Sequence, residues 1–265
     1  MADATFEGAY AALIKEIRSV APYKHRYDVF RDFVTMAAIS LHNAVRKDEE
    51  RESEYLALIG SYQPNDQQAF PKLMALLIEA LEFEPRDVLG TVYMDLELGS
   101  RERGQFFTPQ HLCEAMAMMM HGDELEHLEK PFITLSEPAC GAGGMVLAFV
   151  KEMQKHGHNP ARRLWVQCID VDRLSALMCY IQLSLWDVPA VVLVGNTLSL
   201  EMRETWFTFA HMREGWSARL QARDAEEAAE KPVGEVLTPE APITPPESPK
   251  PATSHGTPQQ FDFGF

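Results

Sequence analysis

Basic residues are the scarce charge in this sequence: 24 Lys and Arg stand against 39 Asp and Glu in 265 residues, a formal net charge of −15. A protein that grips nucleic acid by bulk electrostatics is therefore not expected, although a local basic patch stays compatible with that balance. Cysteine is scarce too. Cys113, Cys140, Cys168 and Cys179 form no C-x-x-C pair, so neither a disulfide framework nor a metal site is expected, and a reducing, cytoplasmic setting fits best. No apolar run reaches roughly 18 residues, and the start, MADATFEGAYAALIKEI, has no basic segment ahead of its apolar residues, so neither membrane association nor secretion is expected. What is present is a hydrophobic content of 46%, ordinary for a globular chain with a sizeable core.

Three regions are expected. Residues 1–98 read as a helical domain, because apolar residues recur at helical spacing in Phe6-Tyr10-Leu13-Ile17, from Val29 to Leu41 and from Phe70 to Leu81. Asp48 to Glu52 read as the charged first turn of the third helix, and Asn65 and Asp66 as N-caps of the fourth. Residues 99–220 alternate short β-rich runs (Phe132–Leu135, Leu164–Ile169, Ala190–Val194) with helices over Met145–Met153 and Arg173–Trp186. That order is the signature of an α/β fold with a parallel sheet, half of a doubly wound nucleotide-binding fold. Residues 221–265 hold eight of the 17 prolines and read as a disordered Pro-rich tail.

Between the first strand and its helix stands Ser136-Glu137-Pro138-Ala139-Cys140-Gly141-Ala142-Gly143-Gly144. Glycine there serves a tight turn that needs positive φ and a backbone a ligand can approach, ahead of a helix N-terminus with free N–H groups. The same residues serve any tight strand-to-helix turn. At the tip of the second strand, Asp170 in Cys168-Ile169-Asp170-Val171-Asp172 can accept two ribose hydroxyls, while Asp172 suits the N-cap of the next helix.

E-P-A-C-G-A-G-G resembles the S-adenosylmethionine-binding motif of the N-6 adenine DNA methyltransferases, especially the modification subunits of type I restriction systems, which usually show D-P-A-C-G-S-G-G. The resemblance implies a helical N-terminal domain followed by a truncated Rossmann-like class I S-adenosylmethionine-dependent methyltransferase fold. It implies that Gly141 and Gly143 admit the methionine part of S-adenosyl-L-methionine, that Glu137 receives its ammonium group, and that Pro138, Ala139 and Cys140 complete the loop. Gly104-Gln105-Phe106-Phe107-Thr108-Pro109 resembles that family's G-x-F-[YF]-T-P motif, which places Gln105, Phe107, Thr108 and Pro109 on the methionyl side. Gly195-Asn196-Thr197-Leu198 resembles its G-[DN]-[TS]-L, which puts Asn196 and Thr197 at the adenine, Asn196 through its carbonyl oxygen. With Asp170 and Val171 these residues make the expected cofactor site.

The family's [DNS]-P-P-[FYW] tetrapeptide, which accepts the target amino group and stacks on the flipped base, does not occur in the sequence; Thr244-Pro245-Pro246-Glu247 lacks both its polar and its aromatic residue. No catalytic residue is assigned. A DNA methyltransferase or component of one is expected, inactive as an isolated chain; the alternatives are a non-catalytic accessory protein and, more weakly, an acidic DNA mimic. DNA, a partner subunit and a second copy of the chain are the expected partners. The terminal Gln260-Phe261-Asp262-Phe263 resembles the peptide by which bacterial proteins dock on the polymerase sliding clamp. Lacking a fourth parallel strand, the sheet is expected to cover its first strand with the aromatic segment Thr205–His211 or with a second chain. Trp206, Phe207, Phe209, Trp216 and His211 read as packing residues, as do Met116 to Met120.

Overall fold

Thr5 opens the first helix by accepting the Gly8 N–H on its hydroxyl, and α1 (Phe6–Ser19) then buries Ala9, Leu13 and Ile17 at helical spacing. The computed structural model describes residues 5–96 and 107–230. There follow α2 (Arg26–Asn43), α3 (Glu49–Gly60), α4 (Pro64–Gln67), α5 (Ala69–Leu81) and α6 (Val88–Asp95). Asp48, expected within the first turn of α3, instead caps it, accepting from the N–H groups of Glu50 and Arg51. Asn65 and Asp66 do not cap a long helix. They lie inside α4, which runs into α5 through a helical Gln68, so no extended cap residue exists there; Asp66 instead accepts from Ala21 N–H (3.3 Å) and the Tyr23 hydroxyl (2.9 Å).

Beyond residue 107 come α7 (Gln110–Glu126), β1 (Ile133–Glu137), α8 (Gly144–Lys155), α9 (Pro160–Arg163), β2 (Leu164–Asp170), α10 (Arg173–Leu185), β3 (Ala190–Asn196), β4 (Glu201–Phe207), α11 (Phe209–Arg213) and α12 (Trp216–Glu230). The sheet order is β1-β2-β3-β4, with β1, β2 and β3 parallel and β4 antiparallel to β3. The three parallel strands are the three expected ones. Valine and alanine bury most of β3, as a sheet covered on both faces requires.

Two expectations about the far end of the sheet need correction. The aromatic segment does form a strand, but it pairs with β3 and not beside β1. Only Thr197–Leu200 separate β3 from β4, too short for a crossover and right for an antiparallel neighbour. The turn ends at Leu200 (φ +60°), and β4 comes so close that a Cβ on Gly195 would lie 2.5 Å from the Glu201 carbonyl oxygen. Among the described residues, no strand pairs with β1 on its other side. Residues 221–230, expected within the tail, are helical, since α12 continues to Glu230: Ala-Arg-Asp-Ala-Glu-Glu-Ala-Ala-Glu is rich in helix formers, and the first proline comes only at Pro232. The clamp-like peptide, Gln260 to Phe263, lies outside the described residues.

Helices and sheet share one hydrophobic core within a compact unit that extends to Ala222. Arg173 on α10 joins them by donating to both carboxylate oxygens of Glu54 on α3 (2.9 Å each) and to Glu204 on β4 (2.7 Å). Beside it Arg51 lies over the buried Trp206 ring at 3.6 Å and donates to the Thr205 carbonyl. Trp206 and Trp216 are fully buried, as packing residues should be. His211 is structural too: its Nδ1 accepts from the Trp165 indole (3.0 Å), Nε2 lies 2.9 Å from the Ser217 hydroxyl, and burial lowers its pKa. The methionines of α7 are not core. Met119 is 81% exposed and Met120 65%, because α7 buries only a narrow stripe of Cys113, Ala117 and Leu125. Among the described residues no helix is long and apolar enough to cross a membrane.

Candidate cofactor-binding site

The chain leaves β1 at Glu137 and enters α8 at Gly144, and the loop between them is fastened from several sides. Cys140 N–H donates to the Ile169 carbonyl of β2 (2.9 Å), and Gly143 N–H donates back to the Cys140 carbonyl (2.8 Å). Gly141 and Gly143 both take positive φ, +53° and +94°, which an L side chain rarely adopts. Asp170 holds the loop from below: Oδ2 accepts from Gly141 N–H and Oδ1 from Asp172 N–H, each at 2.8 Å. Asp172 caps α10 through Ser175, as its position suggested. No side chain caps α8, so its first N–H groups are left for a ligand.

Phe107 covers the loop. Its ring carbons would lie 3.3 Å from a Cβ on Gly141, so glycine is what lets ring and backbone meet. Tyr93 supports that ring edge-on, with centroids 5.5 Å apart. Beneath lies a cleft of about 100 Å³ lined by Asp87, Phe107, Thr108, Glu137, Cys140 and Gly141, among others. Burial pushes the pKa of Asp87, Glu137 and Asp170 upward, partly offset by hydrogen bonds from Gln182 and Gly90 to Asp87, from Ala139 to Glu137, and from Asp172 and Gly141 to Asp170. Among the described residues no Lys or Arg pairs with any of the three. Carboxylates set in a cleft without a cation favour a ligand that brings one.

Two members of this site were not foreseen. Asp87 caps α6, and its Oδ1 accepts from Gly90 N–H (2.7 Å) and from the Gln182 amide (2.9 Å). Gln182 on α10, fully buried, accepts from Val88 and Leu89 N–H (2.7 and 3.0 Å) and donates its other proton to the Ala142 carbonyl (2.8 Å). One side chain thus ties α6 and Asp87 to the glycine loop. An amide inside the apolar run Leu174–Leu185 was the available signal.

The expected site residues are distributed as follows. Phe107, Thr108, Glu137, Ala139, Cys140 and Gly141 line the cleft; Pro109 precedes α7 and Gly143 precedes α8. Asp170 is one hydrogen bond behind the loop, and Val171 is 62% exposed beyond it. Thr197 donates to the Pro138 carbonyl (2.6 Å), joining the third strand's loop to the first. The Asn196 carbonyl oxygen accepts from Leu198 and Ser199 N–H, which leaves its amide nitrogen, a donor, as the free end. Gln105 lies outside the described residues. The structure also gathers three cysteines: the sulfurs of Cys140, Cys168 and Cys179 lie within 4.8 Å of one another.

No curated protein matches this chain. Among solved structures, one described as a class I S-adenosylmethionine-dependent methyltransferase from Listeria monocytogenes aligns at 13% identity and a TM-score of 0.38, over 79% of this chain and 69% of that one. A type I restriction-modification methyltransferase subunit from Streptococcus thermophilus aligns at 14% identity and a TM-score of 0.36, over 70% of this chain; the chain spans 57% of that protein. Residues 85–212 match the N-6 DNA Methylase family model. That segment, which holds Asp87, Phe107, the glycine loop, Asp170 and Asn196, is similar to the N-6 DNA methylase family.

Proposed function

We propose that this chain binds S-adenosylmethionine at the glycine loop and serves as a component of an adenine-specific DNA methyltransferase. The observation that supports this most is the cleft, where Asp87 and Glu137 stand unpaired with any described base beside a phenylalanine ring packed closely on Gly141. In this reading Glu137 and Asp87 receive the ligand's ammonium group, Phe107 packs on its methionyl chain, and the open N-terminus of α8 takes its carboxylate. Asp170 accepts the ribose hydroxyls on lone pairs its backbone bonds leave free, and the Asn196 amide donates to an adenine ring nitrogen. When bound, the cofactor supplies an electrophilic methyl group.

Calorimetry with S-adenosylmethionine and S-adenosylhomocysteine tests the binding. Replacing Asp170 by Ala removes the ribose acceptor and also frees Gly141 N–H from its anchor, so affinity is expected to fall by roughly tenfold or more, the equivalent of about 1.5–3 kcal/mol. An unchanged dissociation constant would exclude the assignment. The acceptor half is expected from a partner subunit, since the sequence contains no [DNS]-P-P-[FYW]. The isolated chain, saturated with radiolabelled cofactor and given adenine-containing DNA, is therefore expected to transfer no methyl above a Gly141→Asp control. Clear turnover would show an acceptor site within this chain.

A further inference from the structure

We propose that Cys140, Cys168 and Cys179 form a three-thiol site for a trivalent thiophilic ion, with arsenite as the chemical type. The three come from the glycine loop, β2 and α10, so the fold and not a sequence motif assembles them. Cys168 and Cys179 are fully buried, and Cys140, 6% exposed, forms the entry side. Three sulfurs bound at roughly 2.3 Å to one centre stand about 4.0 Å apart or less, so separations within 4.8 Å need only a small contraction.

Coordination number and charge select the ion. Structural zinc takes four ligands, and among the described residues no fourth His, Cys, Asp or Glu joins the group. Three thiolates on a divalent or monovalent metal carry net negative charge. The ionisable neighbours of this cluster, Asp170 beside Cys140 and Glu137 beside Cys168, are acids, so such a complex would be a buried anion facing carboxylates, a costly arrangement. A trivalent centre gives a neutral complex. Arsenous acid, As(OH)3, and three thiols give As(SR)3 and three waters: three As–O and three S–H bonds break, three As–S and three O–H bonds form, and arsenic stays trivalent. This inference does not depend on the proposed cofactor.

The test is titration of the reduced full chain with arsenite, followed by native mass spectrometry and X-ray absorption at the arsenic edge. The expected result is one arsenic per chain, a mass gain of one arsenic less three hydrogens, and three sulfur neighbours with no oxygen. Cys113→Ser should bind as the parent does, and Cys168→Ala, left with two thiols, on the order of a hundredfold more weakly. No retained arsenic, an oxygen in the shell, or full-strength binding by Cys168→Ala would overturn the proposal, as would one zinc bound with arsenite excluded. The absorption measurement uses the parent chain alone, so it decides the matter even where a variant fails to fold.

Discussion

Replacing Gln182 by Leu is expected to lower the stability of the folded chain by about 3–5 kcal/mol, read as a shift of the urea midpoint at unchanged slope. Leucine keeps most of the volume, so packing changes little and hydrogen bonding decides the outcome. Gln182 uses its full capacity of two acceptor and two donor bonds. Its loss strands the N–H groups of Val88 and Leu89 and the carbonyl of Ala142 away from water, and leaves Asp87 with Gly90 alone. Each buried group so stranded costs about 1–3 kcal/mol, moderated by local relaxation. Gln182→Glu should not rescue stability at neutral pH, because it restores the acceptor while setting a second carboxylate against Asp87. A loss below about 1 kcal/mol for Gln182→Leu would mean that water replaces these bonds, and the site would then be wetter than its burial implies.

That residue marks the limit of what the sequence could disclose. The three parallel strands, the glycine loop and the Asp172 cap were legible because each is a local pattern: an apolar run, a glycine spacing, an acid ahead of a helix. Gln182 was visible only as an amide inside an apolar helix, and nothing local said that its partners lay on α6 and in the loop. The same holds for Cys140, Cys168 and Cys179, which meet only after β1, β2 and α10 have packed. The strand nature of Thr205–Phe207 could be seen in its aromatics, but its neighbour was decided by the short connection from Asn196. The helicity of residues 221–230 was hidden because the prolines from Pro232 onward coloured the reading of the alanine- and glutamate-rich segment before them.

Gly143→Ala is the second substitution expected to have a large effect, about 2–4 kcal/mol of stability, with cofactor affinity falling alongside. Two separable causes act there. The φ of +94° disfavours any L side chain, an expense of about 1–3 kcal/mol. The new Cβ would also stand 3.0 Å from Cys179 Sγ and 3.5 Å from Cys179 Cα, so α10 or the loop must yield. A double-mutant cycle with Cys179→Ala separates them, since removing the sulfur relieves the closest contact and leaves the backbone conformation as it was. Gly143→Ala should then be less harmful on the Cys179→Ala background by about 1 kcal/mol, and still destabilising. Full recovery would place the whole effect in the contact; no recovery would place it in the backbone alone. Either extreme would separate what this geometry joins, because Gly143 both turns the chain into α8 and sits against the helix that carries Gln182. The loop is fixed by α10 at Ala142 through a hydrogen bond and at Gly143 through van der Waals contact, so a methyl group at Gly143 should disturb the same surface on which the cofactor is proposed to lie.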